Sequence, residues 1–313
     1  MNITIENAVA DDAESLTAIQ KQAFERLYQI YKDEANPYLR GSDEIKHHIE
    51  NGTRDIYKIF ADDMLCGGIA IRNKGDGEYY LNRVYISPQL QGKSVGRKAI
   101  ELCENYYPNA KRWTVDFPAD QLANKKCYEY SGYYDTGLRE KLSDKLTLAF
   151  YEKAISGIFG IRQTQIYFVA EVIRTSFASV AAEFELTEQN CPNHTSFITV
   201  DKIQRHLDSG WLMYGLYENK RLVGYVSLSK ESDAVYELRN LAVLPECRHK
   251  NYGRQLLDFC KTKLKELNGI KRYRHYRRKS CIEKIVCSDA KALRSALKRQ
   301  AKRLAELREL ASR

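Results

Sequence analysis

Apolar and polar positions alternate from the first residues of the chain, as in a strand with one buried face. The pattern then lengthens to a helical period over residues 12–31. Two short apolar runs follow, 56–60 and 66–71, on either side of Asp62-Asp63, and read as a hairpin. A longer apolar run from Tyr79 to Ser87 is stopped by Pro88 and leads into a glycine-containing loop and an amphipathic helix. A strand over 112–117, a helix near 121–130 and closing strands to about residue 153 complete the series. The series then restarts with a helix over 170–184. A hairpin of 212–217 and 222–228 around Asn219-Lys220, a long strand, a glycine loop and a helix follow it. Such alternation predicts an α/β or α+β fold with a mixed sheet.

The restart is a duplication. Tyr79-Tyr80-Leu81-Asn82-Arg83-Val84-Tyr85-Ile86-Ser87-Pro88 runs beside Tyr236-Glu237-Leu238-Arg239-Asn240-Leu241-Ala242-Val243-Leu244-Pro245. Gln91-Gly92-Lys93-Ser94-Val95-Gly96-Arg97 runs beside Arg248-His249-Lys250-Asn251-Tyr252-Gly253-Arg254. One offset of 157 residues covers both segments and carries Cys103 onto Cys260. A strand, a loop and a helix in constant register point to two copies of one domain. The expected organisation is a complete domain over 1–153, a truncated one over 158–269, and a basic, helical tail over 270–313.

The repeated loop has the form of an anion cradle. Successive N–H groups converge at the start of a helix, where the macrodipole also favours negative charge. Glycine lets the backbone come close to a pyrophosphate. Ser94 and Asn251 stand where the first glycine of such a loop is expected. An ordinary helix N-terminus is the equal alternative for either loop alone.

Strand, proline, Gln/Arg-x-x-Gly-x-Gly and helix together resemble the GNAT acyltransferase superfamily. The resemblance extends to Asn124-Lys125-Lys126-Cys127-Tyr128-Glu129-Tyr130-Ser131-Gly132-Tyr133, which is similar to the family's asparagine, tyrosine and x-x-x-Gly-aromatic ending. It covers residues 1–153 fully and a second stretch, 161–269, in part. It implies acetyl-CoA as co-substrate and transfer of the acetyl group to a primary amine, on a small molecule or a peptide, by direct attack in a ternary complex. By the same resemblance Val84, Tyr85 and Ile86, and Leu241 and Val243 in the second copy, offer backbone groups to the pantetheine arm. One such N–H polarises the thioester carbonyl. Gln91, Gly92, Lys93, Ser94, Val95, Gly96 and Arg97 hold the pyrophosphate, with Arg248, Asn251 and Gly253 as their second-copy counterparts. Asn124 contacts the pantetheine, and Tyr128 protonates the departing thiolate. Aromatic packing is the alternative for Tyr128 in a chain of 22 tyrosines.

A general base is less plain. The position some relatives fill with glutamate holds Glu237 in the second copy and Tyr80 in the first. Glu78 shares a strand face with Tyr80 and would act through water, though a surface strand-end glutamate is the plainer reading. The copies thus split the usual set, acid in one and base position in the other. A catalytically weak acyl-CoA-binding regulatory module therefore stands as the alternative to an enzyme.

Composition changes this picture little. Net charge is +9, but residues 270–313 hold fifteen Lys or Arg against four Asp or Glu, so the remaining chain is slightly acidic. That argues against a nucleic-acid surface on the folded body. A third reading keeps the basic tail as a nucleic-acid or partner-binding helix on an inert body, and predicts steeply salt-dependent binding. The 8 cysteines make no C-x-x-C pair, and Cys103, Cys191 and Cys260 read as small buried hydrophobes, with no metal site expected. His47-His48 reads as solvated, and Trp113 and Trp211 as packing. With no long apolar span and no secretory h-region, a cytoplasmic protein that does not cross a membrane is expected. After Gly269 the run Tyr273-Arg274-His275-Tyr276-Arg277-Arg278-Lys279 is too basic for a buried central strand. One permitted codon choice there, read one nucleotide later, encodes a strand and helix start. A frameshift is therefore expected to have replaced the end of the second copy. Leu293, Leu297, Leu304 and Ala311 beyond it recur at helical spacing.

Overall fold

The computed structural model describes residues 1–232, 235–268 and 272–274. The chain divides into two compact units, Met1–Ser156 and Gly157–Arg313.

In the first unit, β1 (Ile3–Asn7) is followed by α1 (Ala13–Tyr31), α2 (Ser42–Glu50) and the meander β2 (Asp55–Ala61), β3 (Met64–Gly75) and β4 (Glu78–Ile86). Then come α3 (Val95–Glu104), β5 (Arg112–Pro118), α4 (Leu122–Tyr130), β6 (Tyr134–Lys141) and β7 (Thr147–Ala154). The sheet order is β1-β2-β3-β4-β5-β7-β6. Only the β4–β5 pair is parallel, as its crossover through α3 requires. Strand periodicity sorts the side chains onto two faces. Ile69, Ile71, Leu81, Trp113 and Val115 pack with Val95, Ala99 and Ile100 of α3. Ile56, Ala70 and Tyr85 lie on the other face with Ala13 and Leu16 of α1 and Ile45 of α2.

Two departures from regular pairing shape the sheet's centre. Ala70 pairs with Arg83 and Ile71 with Leu81, leaving Asn82 as an extra residue in β4. Such a bulge bends and twists its strand. β4 then meets β5 at three rungs only, Glu78 with Arg112, Tyr79 with Trp113 and Tyr80 with Thr114. β5 continues instead along β7 from Arg112 to Pro118. A wedge opens between β4 and β5 beyond Tyr80.

The second unit repeats this plan with β8 (Gly157–Gly160), α5 (Ile166–Glu183), α6 (Val200–Asp208), β9 (Leu212–Glu218), β10 (Arg221–Ser232), β11 (Val235–Val243), α7 (Tyr252–Asn268) and β12 (Arg272–Arg274). Its sheet order, β12-β11-β10-β9-β8, is that of β5-β4-β3-β2-β1. The bulge recurs too: Tyr225 pairs with Ala242 and Ser227 with Arg239, with Asn240 at φ 50° between them.

The second unit starts at Gly157, between the two expected domains, with β8 in the place of β1. One expectation changes here. A fifth strand, expected to be missing after residue 269, is present: Arg272, Tyr273 and Arg274 pair in parallel with Val235, Tyr236 and Glu237. These are the same three rungs that join β4 to β5. A basic strand is compatible with this place because it ends the sheet among the described residues, where charge is tolerated. The amphipathic tail and the rest of the expected frameshift lie outside the described residues.

Candidate active site

The loop between β4 and α3 carries Gly92 at φ 74° and Ser94 at φ 62°, with Val95 opening the helix. Left-handed conformations at alternate positions turn successive N–H groups to one side, forming a nest. From Gly92 to Arg97 no backbone N–H has an acceptor among the described residues, and the first helical bond runs from Lys98 N–H to Ser94 O at 3.1 Å. Gln91 braces the loop by donating through Nε2 to Ile86 O at 2.9 Å. Six consecutive free donors at a helix N-terminus fit a pyrophosphate. A Cβ added at Gly96 would lie 3.7 Å from Cys127 Sγ and 3.8 Å from Ile86 Cγ1, so α3 runs close to both α4 and β4 here.

α4 borders the same region. Tyr128 is 8% exposed and packs on Phe117 and Tyr133, with centroids 5.1 Å and 5.8 Å away. Burial first, then the neighbouring Cys127, Asp116 and Tyr80, raises its phenol well above the ordinary value. Burial likewise pushes the Cys127 thiol up to about 11, against the pull of Arg97. Asn124 lies one helical turn before Tyr128, half-buried. Val84 and Ile86 face α3, while Tyr85 faces α1. From Leu81 to Ile86, β4 has no strand paired to it on the wedge side.

Asp116 is the carboxylate that the sequence did not single out. Tyr80 donates its hydroxyl to Asp116 Oδ1 across the mouth of the wedge. Burial, and next the Asp116 charge, raise the Tyr80 phenol strongly. Glu78 is placed differently, at the closed end: Arg112 donates to it at 2.6 Å and lies 3.4 Å from Glu152. The one clue to Asp116 in the sequence was its alternation with Trp113, Val115 and Phe117, which sets it on the face of Tyr80. The pairing itself is 36 residues apart along the chain and invisible to local pattern.

The second loop shares the backbone and differs in its company. His249 and Asn251 have φ 67° and 64°, and the N–H groups from His249 to Arg254 have no acceptor among the described residues. Glu218, however, accepts from Lys250 at 3.0 Å and from the Tyr252 hydroxyl. Arg248 turns away to donate to Ser176 O at 2.7 Å. Glu237 is held by Arg239 at 2.6 Å. Leu241 and Val243 lie on β11 beyond its last rung with β12, and Gly253 lies in the first turn of α7.

A strand with a bulge, a wedge beside it and a nest at the next helix, all occurring twice, agree with what comparison finds. The acetyltransferase (GNAT) family profile matches residues 22–133 and 177–278. The chain belongs to this family. Solved structures are similar to the chain over about one unit's length. One is RimL, a ribosomal L7/L12 α-N-protein acetyltransferase in complex with coenzyme A, 13% identical, covering 50% of this chain and 95% of that one with a TM-score of 0.43. Another is the PaiA N-acetyltransferase from Thermoplasma acidophilum in complex with coenzyme A, 17% identical, covering 49% and 99%, with a TM-score of 0.41. A third is yncA, a putative acetyltransferase from Salmonella typhimurium with acetyl-CoA, 18% identical, covering 49% and 94%, with a TM-score of 0.40. No curated protein matches the chain. Among the described residues of this GNAT chain, no helix is long and apolar enough to cross a membrane.

Proposed function

We propose that the first unit is an acetyl-CoA-dependent N-acetyltransferase acting on a primary amine. The observation that carries this reading is the nest of free N–H groups from Gly92 to Arg97 at the foot of the β4–β5 wedge. Acetyl-CoA supplies the acetyl group as a thioester; the transfer forms a C–N bond and breaks the C–S bond. The nest binds the pyrophosphate, and Asn124 lies beside the pantetheine. A free N–H on β4, among Val84, Tyr85 and Ile86, donates to the carbonyl oxygen as it gains charge, where a positioned donor is worth most. Tyr128 gives its proton to the sulfur. Burial raises the Tyr128 phenol and so keeps it protonated until the thiolate leaves. Asp116, which accepts from Tyr80 at the mouth of the wedge, takes a proton from the ammonium so that the free amine attacks. Glu78 stays bound to Arg112 and sets the strand ends.

Calorimetry with acetyl-CoA, paired with amine-dependent thiol release, tests this. Gly96→Ala should bind nearly as the wild type, since its Cβ meets only ordinary contacts. Gly96→Leu should displace α3 from α4 and weaken binding. Equal affinity for Gly96→Leu and wild type counts against the loop as the pyrophosphate site.

A further inference from the structure

The sheet face under α1 and α2 is divided by charge, and Tyr80 stands at the division. Toward β2 and β3 it carries Arg54, Arg72, Lys74 and Arg83. Arg72 is the direct cross-strand neighbour of Tyr80. Lys74 Nζ lies 4.7 Å from the Tyr80 ring centroid and donates to Thr114 Oγ1 at 3.4 Å. Arg54 and Arg83 share one carboxylate, Glu44, at 3.4 Å and 3.0 Å. Arg72 is exposed and has no acidic partner among the described residues. Among the described residues, Glu44 is the one carboxylate paired with this group, and it pairs with Arg40 and His48 as well. Burial, then the like charges of Arg83 and Arg72, depress Arg54, as expected where positive charge is in excess.

Toward β5 and β7 the balance reverses. Arg112 lies between Glu78 and Glu152, and Asp116 accepts from Tyr80. Glu78 and Glu152 meet Arg112 there, Lys74 reaches over Tyr80 to Thr114, and Asp116 lies beside the wedge where the amine must arrive.

We infer that the acceptor is a zwitterion, a primary amine bearing a carboxylate or phosphate that the Arg54, Arg72, Lys74 and Arg83 side of this face binds while the ammonium lies toward Asp116. The inference rests on the proposed amine transfer and names its substrate class. A guanidinium pair suits either oxyanion, by the same planar donor geometry. A neutral amine would leave the excess cations unused, and a diamine would place its second ammonium against them.

The test is thiol release by the full chain with β-alanine, γ-aminobutyrate, O-phosphoethanolamine, the amide of γ-aminobutyrate, and putrescine. The anionic amines should exceed the amide in kcat/KM by about tenfold or more, the scale of one charge-assisted hydrogen bond. O-phosphoethanolamine set against the two amino acids decides between phosphate and carboxylate. Arg72→Gln with Lys74→Gln should bring the ratio of γ-aminobutyrate to its amide toward one, through KM. Arg72→Glu should turn the preference toward putrescine, a gain that misfolding cannot mimic. If the amide or putrescine is the better substrate of the wild type, or if these variants leave the ratio unchanged, the charge assignment is wrong while amine transfer stands. If no amine on the panel releases thiol, amine transfer itself falls and this inference with it.

Discussion

The two loops, Gly92–Arg97 and His249–Arg254, have the same backbone and opposite surroundings. In both, alternate residues adopt positive φ and six N–H groups have no acceptor among the described residues. In the first unit the loop leads into α3 where Gly96 comes close to Cys127 of α4 and Ile86 of β4. In the second, Glu218 occupies the position of Ala61 and draws Lys250 and Tyr252 to itself, holding its own carboxyl below the usual range through those bonds. A nest is therefore a property of the local chain, while its use depends on residues far away in sequence. A shared fold and a shared loop do not make two equal sites.

The strongest way to separate the units is to remove the proposed acid, Tyr128, from the first. Tyr128→Phe keeps the ring contacts with Phe117 and Tyr133 and deletes one proton. Turnover should fall by about two to four powers of ten, the usual contribution of a positioned general acid. Affinity for acetyl-CoA, measured by calorimetry, should barely change. Normal turnover would remove Tyr128 from the mechanism, and would mean that the second unit or water supplies the proton.

A second difference lies in the core. Lys153 Nζ sits 2.6 Å from Glu104 Oε2 and donates to Ser131 O at 2.6 Å, and Tyr133 donates to Glu104 Oε1 at 3.2 Å. The two charged side chains are 7% and 5% exposed. This network ties α3 and β7 to the turn at Gly132 that ends α4, and so fixes where Tyr128 points. The second unit has Lys261 in the place of Glu104, paired at the surface with Asp258 at 2.7 Å. Lys153→Met leaves Glu104 charged and buried, and should destabilise the first unit by about 3–5 kcal/mol. Adding Glu104→Leu should recover most of that loss. Denaturant titration in a Trp211→Phe background, where Trp113 alone reports, measures both. A double variant no more stable than the single one would show that the network does more than neutralise charge.

What the sequence revealed and what it hid depend on range. The strand, the proline stop and the helix were legible because Pro88, Pro245 and the loop glycines act on their own backbone. The repeat was legible because its register is constant. The left-handed turn at His249 was hidden, since positive φ is uncommon for any residue other than glycine. The bulges at Asn82 and Asn240 were hidden too, because a bulge exists only relative to a partner strand. Asp116 was missed for the same reason. β12 was missed because a buried central strand was expected at a position where three rungs at the end of a sheet suffice.

Glu218→Ala imports the first unit's residue into the second. It removes a negative charge from beside the nest and frees Lys250. Affinity of the second loop for coenzyme A should rise by about tenfold, the scale of one charge-assisted contact to phosphate. Calorimetry of the full chain should then show a second site. No change in stoichiometry or affinity would place the weakness of that unit away from Glu218 and its two partners.

The smallest expected effect comes from the most complete exchange. At one rung of the first unit Gly68 pairs with Tyr85, and at the same rung of the second Tyr225 pairs with Ala242. The tyrosine has changed strands. A Cβ on Gly68 would lie 2.4 Å from Tyr85 Oη, so Gly68→Tyr alone cannot fit and should destabilise strongly. Tyr85→Ala alone should cost about 3–5 kcal/mol by leaving a cavity where the ring is 4% exposed. The double variant reproduces the second unit's arrangement and conserves volume. It should therefore stand within about 1.5 kcal/mol of the wild type, since volume-conserving exchanges in cores cost about that or less. The coupling in this cycle would then be several times larger than is seen between independent sites. If the double variant is as unstable as the sum of the two single ones, the units have not met one packing requirement in two ways. The correspondence of their sheets would then hold for the backbone alone.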